Sequence, residues 1–168
     1  ESFIDSTLGE SVRFVNPTSS LTIELETAGG SGADVVNVEG LDAAFNANLT
    51  INGGADDSVV FQTAATDING GNLNITLGTI TGTGAAVTVG GTTTLNAGAT
   101  GTITLTNAGN DFQGVVSVTN ASTVDIVDAN SLSLGSITAQ TSVFLEATAG
   151  AIIDGTAGEA ANITASNL

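Results

Sequence analysis

The sequence predicts an all-β protein, a right-handed parallel β-helix (β-solenoid) with about 19–24 residues per coil. Three observations favour this fold class: repeated units of similar length, short segments in which apolar and polar residues alternate, and abundant glycine. The 168 residues include 22 Gly, 1 Pro and 6 Phe, but no Trp, Tyr or Met, and 41% of them are hydrophobic. Branched side chains favour pleated strands, and glycine and asparagine favour frequent turns.

The clearest repeat lies in the first half of the chain. Residues 29–52 (GGSGADVVNVEGLDAAFNANLTIN) align without a gap with residues 53–76 (GGADDSVVFQTAATDINGGNLNIT), and seven of the 24 positions are identical. Besides the paired glycines, the identities are Val35/Val59, Val36/Val60, Asn48/Asn72, Leu49/Leu73 and Ile51/Ile75. Because successive coils must keep their turn and core residues, we expect each of these pairs to stack in neighbouring coils.

Shorter units follow at residues 101–121, 122–140 and 141–160, and they predict short strands that alternate with Thr, Ser or Asn. Their apolar residues should form two columns: Ile103 and Leu105, Val124 and Ile126, Val143 and Leu145, then Ile163; and Ile75, Leu77, Leu95, Val116, Val118, Leu134 and Ile152. The lack of an apolar stripe at helical spacing opposes helices, and the fixed repeat opposes a sandwich. About seven or eight coils are expected.

The two ends of the chain differ from each other. Residues 1–28 contain the only Pro and depart from the repeat, so we interpret them as an irregular N-terminal segment or partial cap. Residues 29–168 are expected to form the solenoid as a single domain. The last residues, AANITASNL, keep the strand pattern, which predicts further coils or docking against another copy.

Asparagine recurs at the predicted corners. Asn69, Asn107, Asn110 and Asn130 are expected to stack their amides from coil to coil and to satisfy backbone groups in the turns.

The stretch NAGNDFQGVVSVTNASTVDIVDANSLSLGSITAQTSVFLEATAGAIIDG, residues 107–155, resembles the repeats of filamentous-haemagglutinin-like and autotransporter-type β-helix adhesins. The resemblance covers roughly residues 72–168. It implies a right-handed β-helix, export to the bacterial surface or medium, and a role in adhesion, surface structure or fibre formation.

Composition argues against several functions. Arg13 is the only cation beside 17 acidic residues, which gives a net charge of −16 and makes nucleic acid an unfavourable partner. The chain has no Cys and no His, hence no thiolate or imidazole for catalysis or for transition-metal binding. The carboxylate pairs Asp125/Asp128 and Glu24/Glu26 lack a cationic partner, so we expect no enzyme. No apolar run is long enough to span a membrane.

The nonapeptide GGSGADVVN, residues 29–37, fits the pattern G-G-x-G-x-D-x-(apolar)-x of a calcium-binding β-roll turn. Asp34, with Asp56 and Asp57 one unit later, would supply oxygen ligands for a structural calcium ion. The alternative is a solvent-exposed acidic corner, because Asp56 stands where the copy needs its third glycine and no nonapeptide follows at residues 38–46. No cofactor is required in either case.

Threonine rows at residues 79–83, 92–94 and 102–106 raise the question of an ice-ordering face, but Thr123 with Asp125 and Ser142 with Phe144 break the row. We therefore expect an extracellular structural protein, a rod segment or fibre subunit that stacks end to end with other copies or adjacent repeats. The alternative is an adhesin module that binds a carbohydrate or host protein through a lateral face.

Overall fold

A computed structural model of the protein describes residues 2–5, 11–25, 32–157 and 163–165. None of these residues lies in a helix, so the described part contains no helix that could span a membrane. The strands are β1 Ser2–Asp5, β2 Ser11–Phe14, β3 Ser20–Glu24, β4 Val35–Val38, β5 Asn48–Asn52, β6 Ser58–Phe61, β7 Thr66–Ile68, β8 Leu73–Thr76, β9 Thr79–Thr81, β10 Val87–Val89, β11 Thr93–Asn96, β12 Thr102–Leu105, β13 Asp111–Phe112, β14 Val116–Asn120, β15 Thr123–Asp128, β16 Leu132–Thr138, β17 Ser142–Ala147, β18 Ile152–Asp154 and β19 Ile163–Thr164.

Three parallel sheets make up the body of the fold. Sheet 1 has the order β18-β16-β14-β11-β8-β5-β3, with β19 also paired to β16; sheet 2 is β17-β15-β12-β9-β6-β4; sheet 3 is β13-β10-β7. From β3 to β18, consecutive strands enter different sheets, and each strand pairs with counterparts in the neighbouring coils, which is the path of a β-solenoid. The predicted fold class is confirmed.

The solenoid has about six turns, fewer than the seven or eight predicted. Paired residues in neighbouring coils lie between 18 positions apart, as for Val116 and Leu134, and 28 positions apart, as for Leu21 and Leu49. The longer first coil accounts for part of the difference. The antiparallel hairpin of β1 and β2 accounts for the rest, because it lies outside the parallel sheets.

The first parallel strand, β3, begins at Ser20 and pairs with β5, so sheet 1 starts within the segment 1–28 that the sequence interpretation set apart. Its burial alternates along the strand, and Leu21 and Ile23 pack against the core. The hairpin of β1 and β2 is the part of this segment that departs from the coils.

The pairing predicted in sheet 1 is confirmed: Leu49 lies beside Leu73 and Ile51 beside Ile75. The pairing predicted in sheet 2 is wrong by one residue. Val36 pairs with Val59, and Val38 with Phe61, instead of Val35 with Val59 and Val36 with Val60. Side chains alternate between the two faces of a strand, so the predicted register would have turned Val35 inward; it is 57% exposed.

The apolar columns of sheet 2 are confirmed, with Ile103 beside Val124 and Val143, and Leu105 beside Ile126 and Leu145. Ile163 does not continue them; it pairs with Ile137 in sheet 1. Most members of the second predicted column share sheet 1 but belong to neighbouring columns: Ile75, Leu95 and Val118 in one, Val116 and Leu134 in another, and Ile152 beside Leu132. Leu77 is buried but follows the end of β8.

One core runs through the coils. Its largest fully buried side chains are Phe45, Phe61 and Phe112, and aliphatic residues fill the rest. Strand β6 alternates between half-buried and buried positions, and so do β5, β11 and β12, as the period of two predicts.

The corner between sheets 1 and 2 brings backbones into close contact, and this gives a prediction for Gly78. A methyl group there would overlap the carbonyl oxygen of Ala55 in the preceding coil. Gly78→Ala should therefore lower the free energy of unfolding by about 1–3 kcal/mol in urea titrations followed by circular dichroism. Gly84→Ala is the matched control, because its methyl group would meet only the Cα of Gln62, at 3.9 Å. Equal loss in both variants would contradict the packing at this corner.

Candidate functional site

The acidic corner of the predicted calcium site is built around Asp57, which precedes strand β6. Asp57 is buried, with 1% of its surface exposed. Its Oδ1 accepts a hydrogen bond from the N–H of Asp34 at 2.8 Å, and its Oδ2 accepts one from the N–H of Gly54 at 2.7 Å. Asp57 thus joins the backbone of two successive coils. A carboxylate can accept these two hydrogen bonds without a bound metal.

Asp34 and Asp56, the other two predicted ligands, are exposed. Within the described ranges no group of three or more acidic side chains is arranged to hold a metal ion. The structure therefore brings the Asp57 carboxylate to the backbone of Asp34 without gathering the three carboxylates. Gly29, Gly30 and Ser31, the first residues of the nonapeptide, lie outside the described residues. Calcium binding stays a prediction.

A second polar corner, between sheets 2 and 3, is more deeply buried. Asn110 has no exposed surface. Its Oδ1 accepts from the N–H of Val87 at 2.9 Å, and its Nδ2 donates to the carbonyls of Leu105 at 2.9 Å and Val127 at 3.2 Å. The predicted role of Asn110 as a corner residue is confirmed by these contacts with the two neighbouring coils.

Asp128, one coil later, is also fully buried and supports the same corner. Its Oδ2 accepts from the N–H of Phe112 and its Oδ1 from the N–H of Asn130, both at 2.7 Å. Burial raises the pKa of Asp128; the two backbone hydrogen bonds oppose this rise, and the nearby Asp111 carboxylate adds to it. No pattern in the sequence indicates this role, because an Asp at a strand end is usually exposed.

The other predicted corner asparagines have mixed roles. Asn69 donates its Nδ2 to the carbonyl of Phe45 at 2.7 Å, in the preceding coil. Asn107 accepts locally from the N–H of Gly109 at 2.9 Å through its Oδ1, and its Nδ2 donates to the carbonyl of Thr83 in the preceding coil at 3.4 Å. Asn130 takes part through its backbone N–H, which Asp128 binds.

Two asparagines, Asn48 and Asn72, link neighbouring coils at the start of sheet 1. The sequence alignment showed only that these two positions are identical. Asn48 Oδ1 accepts from the N–H of Asn72 at 2.9 Å, and Asn72 Oδ1 accepts from the N–H of Thr92 at 2.8 Å. Three successive coils are thereby linked by side chains that face away from the core.

The outward face of sheet 2 carries two straight columns of side chains. One contains Val35, Ser58, Thr79, Thr102, Thr123 and Ser142; the other contains Asn37, Val60, Thr81, Thr104, Asp125 and Phe144. The hydroxyl rows end as the sequence predicted, with Asp125 and then Phe144 replacing threonine in the second column. Phe144 is 55% exposed, an aromatic surface on an otherwise small and polar face.

Asp125, beside Phe144, carries the least satisfied carboxylate of this face. Its Oδ1 is buried and has no hydrogen-bond partner within the described part of the chain. Burial raises the pKa of Asp125, and the negative charge of Glu146 on strand β17 raises it further. The other carboxylate pair weighed for catalysis, Glu24 and Glu26, is only half described. Glu24 accepts a hydrogen bond from Asn52 at 2.7 Å, and Glu26 lies outside the described residues.

The last coil, which we call the C-terminal edge, comprises β17, β18 and β19. Its inward-facing side chains extend the core columns but are more exposed than those below. Val143 and Leu145 are half-buried, whereas Ile152 is 46% and Ile163 is 38% exposed. Among these apolar residues Asp154 pairs with the buried Leu134. Its Oδ1 accepts from the backbone N–H of Thr156 at 2.9 Å.

A shallow groove of about 180 Å³ crosses the corner between sheets 1 and 2. It is lined by Gly53, Gly54, Ala55, Thr76, Leu77, Asn96, Ala97 and Gly98. The lining offers backbone, one amide and one hydroxyl but no titratable side chain, so it provides no group for acid or base chemistry.

The two roles considered for the acidic corner predict different responses to calcium. Asp57→Ala leaves two backbone N–H groups without their acceptor, so it should lower the free energy of unfolding by about 2–3 kcal/mol, equally in calcium and in a chelator. A calcium site requires in addition that calcium raise the melting temperature and that Asp34→Ala abolish the rise. A loss in Asp57→Ala that appears only with calcium would contradict the backbone role.

Asp125 predicts a pH dependence of stability. Its pKa is raised in the folded protein, so the folded state holds the proton more tightly than the unfolded state does. The stability that this tighter proton binding contributes is fully present below the pKa that Asp125 has in the unfolded state. It is lost as the pH rises through the pKa that Asp125 has in the folded state. Asp125→Asn should therefore reduce the loss of melting temperature between about pH 4 and 7, and Glu146→Gln should reduce it less. An unchanged pH profile in Asp125→Asn would contradict the assignment.

Part of the chain is similar to a known family of repeats. Residues 46–119, which run from just before β5 to strand β14, match a family model described as repeats of unknown function (DUF5649). No curated protein and no solved structure matches the chain. The repeat match and the parallel coils together make this chain a β-helix repeat protein.

Proposed function

We propose that the chain is an extracellular structural protein, a rod segment or fibre subunit that assembles by end-to-end stacking of its coils. The observation that supports this proposal is the C-terminal edge. There the columns that are fully buried in the middle coils, such as Ile103 and Leu105, end in the half-buried Val143 and Leu145. A further coil on this edge would bury those side chains and pair the free backbone of β17.

The sides of the rod favour association along the axis over lateral association. In sheet 1 the outward positions of successive coils are short polar residues: Thr22, Thr50, Asn74, Thr94 and Ser117. The net charge of −16 adds repulsion between sides. In sheet 1, apolar side chains are therefore concentrated at the end where a further coil would continue the columns.

The extracellular location is supported by the resemblance of residues 107–155 to bacterial surface and secreted β-helix repeats. Backbone ladders that run from coil to coil hold an acidic, cysteine-free chain together without disulfides. The same resemblance supports the structural role over a catalytic one.

A second candidate function is an adhesin module that binds a carbohydrate or a host protein through a lateral face. The exposed Phe144 favours it, because an aromatic ring beside hydroxyl and carboxylate groups suits the apolar and polar faces of a sugar. Asp125 in the neighbouring strand and Ser142 in β17 would supply the polar contacts.

Electron microscopy of the purified chain at increasing concentration tests the structural role. We expect filaments with an axial repeat of roughly 30 Å, six turns at the strand spacing. Leu145→Asp should abolish them, because it places a charge on the stacking surface, whereas Thr123→Asp adds the same charge to the side of the rod and should leave them intact. Monomers at all concentrations that bind a glycan array, with binding lost in Phe144→Ala, would favour the adhesin role instead.

A further inference from the structure

Among the described residues, the two edge strands of sheet 2 belong to the same set of columns. Strand β4 is the first strand of the sheet and β17 is the last. Followed from pair to pair, the column that begins at Val36 passes through Ile103 and ends at Val143. A second copy placed above the C-terminal edge can therefore continue the first four columns of β17, from Ser142 to Leu145, with its own strand β4.

The column of Val38 shows how closely the side chains are matched along the sheet. This column continues through Phe61 and Leu105 to Leu145. Gly82 lies in the coil between Phe61 and Leu105. A methyl group at Gly82 would lie 2.8 Å from Leu105 and 3.6 Å from Phe61. Val38 of a second copy above Leu145 would extend this column with an apolar side chain of ordinary size.

Sheet 1 continues in the same register. One of its columns runs from Ile23 through Ile51 to Ile137 and then Ile163, so Ile23 of a second copy would cover Ile163. Both residues are apolar, and Ile163 is 38% exposed at the C-terminal edge.

The outward face of sheet 2 carries an exposed apolar residue at each end. Val35, on β4, is 57% exposed, and Phe144, on β17, is 55% exposed. In the continued register Val35 of the second copy lies beside Ser142, diagonal to Phe144. Diagonal neighbours on one face of a sheet are within reach of an aromatic side chain, so the two exposed residues would cover each other.

Charges at the same edges oppose the contact. Glu39 follows Val38, so in the continued register it faces Glu146, which follows Leu145; both are exposed. Like charges directly opposite on neighbouring strands are destabilising. Asp154 lies in the column that runs from Leu21 through Leu49 to Leu134, so Leu21 of a second copy would bury its carboxylate.

Within the part of the chain that the structure describes, few other titratable side chains lie near these carboxylates. Strands β16 and β17 pack against β18, and between them only Glu146 is titratable. Strand β15, which packs against β17, contributes Asp125 and Asp128. No described residue of these strands carries a positive charge, so carboxylates dominate the electrostatics of the edge.

Resting on the end-to-end stacking proposed above, we infer that the partner is a second copy stacked head to tail, with its β4 against β17, and that the charges of Asp154, Glu146 and Glu39 keep this contact weak. The exposed core columns favour stacking, and the three carboxylates oppose it. The charge at one end of the rod thus sets the strength of assembly.

Sedimentation velocity at about pH 7.5 tests the role of the carboxylates. We compare the wild-type chain with Asp154→Asn/Glu146→Gln and with the control Asp56→Asn/Asp67→Asn, which removes the same two charges away from the edge. The edge variant should associate at least about tenfold more tightly than both the control and the wild type. Equal association of the two variants would overturn the inference.

Disulfide cross-linking tests the register, because the chain contains no Cys. Val35→Cys/Ser142→Cys in the edge variant should give a ladder of covalent oligomers on oxidation. Val35→Cys/Thr123→Cys, whose second cysteine lies in the same column one coil inside, should not. Cross-links that form equally in both pairs, or association without cross-links in the first, would overturn the β4–β17 contact.

The outcomes separate the two proposals. Wild-type association as tight as that of the edge variant would overturn the carboxylate control while leaving the structural role in place. If no variant assembles at any concentration, both the stacking and its control are overturned.

Discussion

In-register parallel pairing between successive coils is the interaction on which the rest of the structure depends. It repeats at every coil of the described solenoid and places like positions above one another. A residue such as Ile103 is buried because Ile80 lies in the coil before it and Val124 in the coil after it. Core, lateral faces and ends all follow from this stacking, since each column is a property of several coils at once.

The corners decide how closely the coils can stack. Where two backbones meet, as at Gly78 and Ala55, no side chain fits, and glycine is required. Where a gap remains, a buried polar group fills it: Asp57 in one corner, and Asn110 with Asp128 in another. These groups bind backbone N–H groups that face no strand partner, so the cost of burying them is offset by hydrogen bonds.

The sequence was sufficient for the fold class, because repeat length and alternation both reflect stacking directly. It was insufficient for the register of sheet 2, where Val35 and Val36 are adjacent and identical. In a sequence alignment, either valine can be placed opposite Val59. Because Val59 faces the core of the folded coil, its partner is Val36. The acidic corner shows the same limit. Asp34, Asp56 and Asp57 look equivalent in a motif, yet only Asp57 is buried among backbone donors.

The ends of such a rod present a problem that the sides do not. A sheet edge in the middle of the chain is covered by the next coil, whereas the last strand of a solenoid offers backbone groups and a row of apolar side chains to any strand of matching pattern. Most of the columns that reach the C-terminal edge end in apolar residues such as Val143 and Leu145. The carboxylate of Asp154 ends a column in which every other residue but Thr93 is apolar, so it makes covering this edge costly, and it does so without disturbing the coils beneath. Glu146 adds repulsion on the outward face of the adjoining sheet. Charges at the C-terminal edge act on stacking alone. They therefore lower the tendency of the rod to assemble without lowering the stability of the rod itself.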